Sequence, residues 1–176
     1  MVTDRISKLQ KKLADTIRIL PPILANEAIN FSLNSFDQEA WSGNSQEVWK
    51  KRKNPTKWGK PDETGRALLM KTGQLKRSIQ VVREDIDNGI IYIGAGGADT
   101  PYARAHNFGF RGKVDQNVRA FTRKMKNGKT QQVKEHQRTI HQNIPKRQYI
   151  GGDKDSPYLK ARLRRASILE LKKIFK

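Results

Sequence analysis

The chain contains no cysteine. That excludes disulfide staples and thiolate-bound metal. Apolar residues make up 35% and aromatics 7%, against about 45–50% apolar, glycine included, in ordinary globular chains. Part of the length is therefore expected to be arm, loop or subunit interface rather than core. No apolar run approaches the ~18 residues of a membrane span. Met1 to Lys12 is charged and lacks the apolar block of a signal peptide. These features predict a soluble protein made in a cytoplasm. Acidic residues are scarce too, 17 against 36 Lys and Arg, for a net charge of +19. Such an excess repels itself and favours an anionic partner: nucleic acid, a membrane surface or an acidic protein.

Residues that carry chemistry are equally thin. The histidines are His106, His136 and His141. His136 and His141 miss the i,i+4 spacing of a helical metal pair, and no carboxylates gather beside them. Gly94-Ala95-Gly96-Gly97 has neither the dinucleotide fingerprint nor the Gly-Lys-Ser/Thr of a P-loop, and reads as a turn. Ser78 and Ser156 lack a nucleophile-elbow context. Carboxylates are scattered, with no seat for paired acid–base work. Neither an enzyme nor a cofactor is expected.

What is present is a set of marked elements in 176 residues, enough for one domain with a modest core. Thr3 or Asp4 can cap a helix striped by Ile6, Leu9, Leu13, Ile17 and Leu20. Pro21-Pro22 should break or kink it. A second helix is expected to start there, with Leu24, Ala28, Phe31 and Phe36 on its buried face, and to end near Trp41-Ser42-Gly43. Residues 42–66 read as an irregular loop. Its Trp49 and Trp58, with Trp41, either cap the core or, beside Lys50-Lys51-Arg52-Lys53, stack nucleic-acid bases.

Residues 68–109 are the densest apolar stretch. Thr72-Gly73 predicts a turn, Leu75 to Ser78 one helical turn, and Ile79 to Val82 a strand. Asn88-Gly89 signals a type I′ hairpin, with Ile90 to Ile93 returning. Pro101 to Asn107 predicts a short helix stopped at Gly109. From Arg111 to Arg147 there are 11 Lys and Arg but only Asp115 and Glu135. With Asn127-Gly128 in its middle, this reads as a long basic β-hairpin arm at about 111–143. Ile144 to Gly151 reads as a strand with Pro145 at its start or on an edge. Ser156 and Pro157 should open a last helix, with Leu159, Leu163, Ala166, Ile168/Leu169 and Ile174/Phe175 as its apolar stripe. The fold class is α+β: N-terminal helices, a small antiparallel sheet with a short helix, the arm and a C-terminal helix.

Three short patterns stand in order, with Ile93-Gly94 between the first and second: Leu-Met-Lys-Thr-Gly-Gln-Leu-Lys-Arg-Ser-Ile (69–79), Pro-Tyr-Ala-Arg-Ala-His-Asn-Phe-Gly (101–109) and Ile-Pro-Lys-Arg-Gln-Tyr-Ile-Gly (144–151). Together they resemble the phage virion morphogenesis, or tail-completion, family, with its Mu-type and lambdoid neck-like members. The likeness covers roughly residues 30–151. The chain departs from the family at Arg147-Gln148-Tyr149, where an arginine-proline-aromatic ending is usual, and in the basic insertion at 111–143.

The resemblance implies a structural subunit of the virion neck or tail, assembled in the bacterial host cytoplasm. It would form a homo-oligomeric ring, a hexamer or similar, between portal (connector) and tail-tube proteins, with DNA passing through the lumen and no membrane partner. Thr72, Gly73, Leu75, Ser78, Tyr102, His106, Gly109, Pro145 and Arg147 then match the family's structural motifs. Gly73 should supply positive φ or a close approach. Arg119, Arg123, Lys124, Lys126, Lys129, Lys134 and Arg138 are expected to face DNA or a partner. The alternative is a non-sequence-specific nucleic-acid-binding module, whose affinity would fall steeply with salt. A small nuclease ranks last.

Overall fold

A computed structural model describes residues 2–51, 65–85 and 88–175. Trp58 and the Arg52-Lys53 pair lie outside the described residues. The mixed α+β expectation holds, with two corrections at the N-terminal end.

The first concerns the double proline. A single helix, α1 (Val2–Gln38), continues through Pro21 and Pro22 without a break. Each proline removes one backbone N–H from the helical ladder, at about 3 kcal/mol relative to alanine. The carbonyls left without those donors belong to Ile17 and Arg18, four residues earlier and on exposed residues, where water can serve them. Tertiary packing of the C-terminal half holds the helix beyond the break in propensity. That half packs on the C-terminal helix α4 (Pro157–Lys172). Phe31 and Trp41 meet edge to face at 5.4 Å, and Leu159 and Leu163 close over them. Glu27 pairs with Arg162 across the two helices.

The second correction concerns the helix end. α1 stops at Gln38, short of Trp41, because Glu39 turns the chain with φ 47°. Its carbonyl accepts from the Trp49 amide at 2.7 Å, and its carboxylate accepts from the Leu68 amide. The segment expected to be irregular begins as a hairpin: β1 (Ala40–Ser42) pairs antiparallel with β2 (Gln46–Val48).

The central stretch folds as its turns predict. α2 (Gln74–Arg77) is the single helical turn. β3 (Gln80–Asp85) and β4 (Ile90–Gly94) pair antiparallel, ending at Asp85 opposite Ile90. Gly89 has positive φ and Asn88 does not, so Asn88 and Gly89 are not the two central residues of a type I′ turn. α3 (Ala103–Phe108) ends at Gly109, φ 78°.

The arm is present as a two-part ribbon. Its root pairs β5 (Phe110–Val118) with β8 (His136–Ile144) through nine residues, from Phe110–Ile144 to Val118–His136. Its outer part pairs β6 (Phe121–Lys124) with β7 (Thr130–Val133) around Gly128. Among the described residues the strands make four separate two-stranded ladders, not one sheet. The stretch from Pro145 to Ile150 is not a strand; it is an extended strap held by side chains. Ser156 caps α4 as expected, its hydroxyl accepting from the Leu159 amide.

The main core joins Phe36, Trp49, Leu68, Leu75, Ile79, Ala103 and Tyr149. Several predicted apolar positions are not in it. Ile6, Leu9, Leu13 and Ile17 stand on the surface of α1, with Ile17 55% exposed. On α4, Leu159 and Leu163 face inward, but Ile168 and Leu169 are exposed, and Phe175, just beyond the helix, is 80% exposed. The described elements offer these stripes nothing to bury against.

Candidate interaction surfaces

The second and third sequence patterns meet in one knot, and the first joins the same core through Leu75 and Ile79. The Asn107 side chain, buried on α3, grips the strap three times. Its Oδ1 accepts from the amides of Tyr149 (2.9 Å) and Ile150 (3.0 Å), and its Nδ2 donates to the Ile150 carbonyl (3.1 Å). The Tyr149 hydroxyl donates to the Ala103 carbonyl at 2.9 Å. Burial, and secondarily Tyr102, push the Tyr149 phenol up to about 12, so it stays a donor at neutral pH. The Arg147 amide donates to the His106 carbonyl at 2.8 Å, and its buried guanidinium donates twice to the Lys50 carbonyl. The Trp49 indole donates to the Gln148 carbonyl at 2.8 Å. The strap therefore ties α3 to the chain just beyond β2.

The remaining motif residues are structural joints. The Thr72 hydroxyl meets the Gln74 side chain at 3.0 Å beside the start of α2. Gly73 has φ 72°, as anticipated. Leu75 is fully buried. The Ser78 hydroxyl donates to the Leu75 carbonyl and accepts from the Gly96 amide at 3.0 Å, binding α2 to the loop after β4. Gly109 has φ 78° and ψ 161°, a region reserved for glycine. A Cβ there would also lie 3.1 Å from the Lys146 nitrogen. Pro145 is half-buried at the head of the strap. Tyr102 and His106 pack edge to face at 5.7 Å. The His106 Nδ1 is buried and has no hydrogen-bond partner among the described residues. Burial first, and the Arg147 charge second, hold its pKa below the ordinary value.

Trp41 and Trp49 are both buried, so neither presents a ring for base stacking. Sequence reasoning put weight on Tyr102 and His106 in the second pattern and passed over Asn107, although it stands in the same run. A small polar residue between His and Phe gives no periodic signal; only its burial marks it.

The arm is different in kind. Arg119, Arg123, Lys124, Lys126, Lys129, Lys134 and Arg138 are all exposed. Residues 119–134 carry six cations and no acid. Where these cations are held, neutral groups hold them: Arg123 by the Gln131 side-chain oxygen (2.8 Å) and Arg138 by that of Gln116 (3.0 Å). Asp115 is engaged by the Thr139 hydroxyl. Among the described residues no arm cation makes an ion pair, so the charge is not neutralised within the chain. Strand alternation puts Arg123 on one face of the outer ribbon, with Phe121 and Val133, and Lys124 on the other. Phe121 and Met125 are exposed. A two-stranded ribbon is at best marginally stable alone, which suits an arm that meets a partner.

Among the described residues no three His, Asp or Glu side chains are placed to share a metal ion, and no helix is long and apolar enough to cross a membrane. A sequence profile of the phage virion morphogenesis family matches residues 2–163. No curated protein and no solved structure matches the chain significantly.

Proposed function

We propose that this chain, which belongs to the phage virion morphogenesis family, is a neck or tail-completion subunit that joins head to tail. A structural part in building the phage particle comes with the family; the place in the neck is our reading. In it, copies form a ring of about six between portal and tail-tube proteins, and DNA passes through the lumen. The subunit works without catalysis or cofactor. The observation that supports this most is the division of labour in the fold. The motif residues are spent on an internal knot, while unneutralised cations and apolar stripes stand outside it. Ring subunits bury such stripes on neighbours through head-to-tail contacts that close on rotation. Light scattering and negative-stain imaging should show rings, alone or once portal and tail proteins are added. A persistent monomer in the presence of both partners would overturn the reading.

A second reading rests on the arm alone. Its cations, which make no ion pair among the described residues, also suit a non-sequence-specific nucleic-acid-binding module. Duplex affinity should then fall with salt at a slope of about 0.9 per phosphate neutralised. Weak, salt-independent binding would remove this reading.

A further inference from the structure

The body carries a groove of 820 Å³ lined largely by apolar residues. Leu24, Ala25 and Ala28 of α1 contribute apolar lining, and β4 contributes every residue from Ile90 to Gly94. The strap and its continuation, from Gln148 to Asp153, line it as well. Among the described residues β4 has one strand neighbour, β3, so its other edge has no pairing strand. An open edge of this kind is a template for a strand from another chain. The charged residues lining the groove are Arg104, Asp153 and Asp155. In a chain of net charge +19, this is a lining where acids outnumber bases.

We infer that the groove receives the outer arm of a second copy of this chain. The arm supplies what the groove lacks. Phe121, Met125 and Val133 bring apolar side chains that the ribbon leaves without a core, and Lys124, Lys126 and Lys129 bring the opposite charge. β6 and β7 each span four residues and β4 five, or about 14 and 17 Å at ~3.4 Å per residue. An edge of the ribbon therefore matches the open edge it would extend. The contact is head-to-tail: the arm of one copy enters the next, whose own arm remains free. Repetition with rotation closes a ring. The inference thus rests on the ring reading above and adds which surfaces make the joint. It also gives the arm a protein partner, so Lys124, Lys126 and Lys129 are not free to line the DNA path.

The absence of cysteine gives a direct test. Tyr92→Cys in β4 is mixed with Thr122→Cys or Gln132→Cys in the arm, one partner carrying a mass tag, and the mixture is oxidised with copper phenanthroline. Heterodimers of one β4 variant with one arm variant should dominate over both homodimers. A charge swap provides the second arm. Lys124→Glu/Lys126→Glu/Lys129→Glu and Asp153→Lys/Asp155→Lys should each weaken self-association about tenfold, and mixing the two should restore most of it. Thermal melts of each variant establish that it is folded. Rings that form with no preferred heterodimer and no rescue overturn the arm-in-groove contact and leave the ring reading standing. A chain that stays monomeric with portal and tail proteins present overturns both.

Discussion

Asn107→Ala should be the most damaging single truncation of the internal knot. The side chain makes three hydrogen bonds to the strap, and the residue is only 6% exposed. A buried hydrogen bond contributes about 1 kcal/mol net, and a stranded buried group costs about 1–3 kcal/mol. Alanine removes all three bonds at once. The Tyr149 amide, which has no exposed surface around it, loses its acceptor; the Ile150 amide and carbonyl are half-covered and regain some water. The loss should therefore be about 3–4 kcal/mol, a large share of the ~5–15 kcal/mol typical of a folded domain. With a urea m-value of about 2 kcal/mol/M, the midpoint should fall by about 1.5–2 M. Asn107→Asp is the discriminating companion. It keeps both acceptor bonds but sets a carboxylate oxygen against the Ile150 carbonyl, so it should fall between wild type and alanine at neutral pH. Urea titration followed by far-UV circular dichroism measures all three, and amide exchange should accelerate at Tyr149 and Ile150 in the alanine variant. An alanine midpoint within about 0.3 M of wild type would refute the view that the strap is held by this side chain.

Three further outcomes follow from the same geometry. Gly109→Ala should cost about 2–4 kcal/mol, since its dihedrals are closed to other residues and its Cβ would press on the strap backbone; Gly128→Ala, with positive φ but open space, should cost about 1 kcal/mol in the same urea assay. Ser156→Ala loses both the cap to the Leu159 amide and the bond to the Ser42 carbonyl, and should lower stability by about 2 kcal/mol. His106 is held below its ordinary pKa of 6.5, so below that pH the unfolded chain takes up a proton that the folded chain refuses. Stability should decline as pH falls from about 6.5 towards the folded-state pKa and then level off, and His106→Gln should remove that part of the slope between pH 7.5 and 5 without abolishing other acid effects.

The sequence was legible where a local rule decides the structure. Ser156-Pro157 opened α4, Gly109 stopped α3, Gly73 took positive φ, and the basic ribbon lies where charge and Asn127-Gly128 placed it. It was misleading where long-range packing overrides local preference. Pro21-Pro22 do not interrupt α1, because α4 and the first hairpin hold the second half while the freed carbonyls face water. Glu39 ends the helix for a reason three segments away, its two acceptors being taken by Trp49 and Leu68. Asn107 and the strap were illegible for the same cause: their partners lie about 43 residues apart in sequence.

Burial was the other failure of periodicity, and it bears on function. A helical stripe predicts that a face is covered but not by which chain. Ile6, Leu9, Leu13 and Ile17 keep the spacing of a buried face and yet stand exposed, as do Ile168 and Leu169 on α4. At about 25 cal/mol per Å² of apolar surface, leaving such stripes in water forgoes stabilisation that a partner could recover. The same holds for Phe121 and Met125 on the arm. The knot around Asn107 has the opposite character, with nearly every polar group matched inside the chain. A rigid, internally satisfied body carrying several unsatisfied surfaces is what assembly demands of a subunit. Its shape must be fixed before contact, and the free energy of burying those surfaces must be withheld until a neighbour arrives.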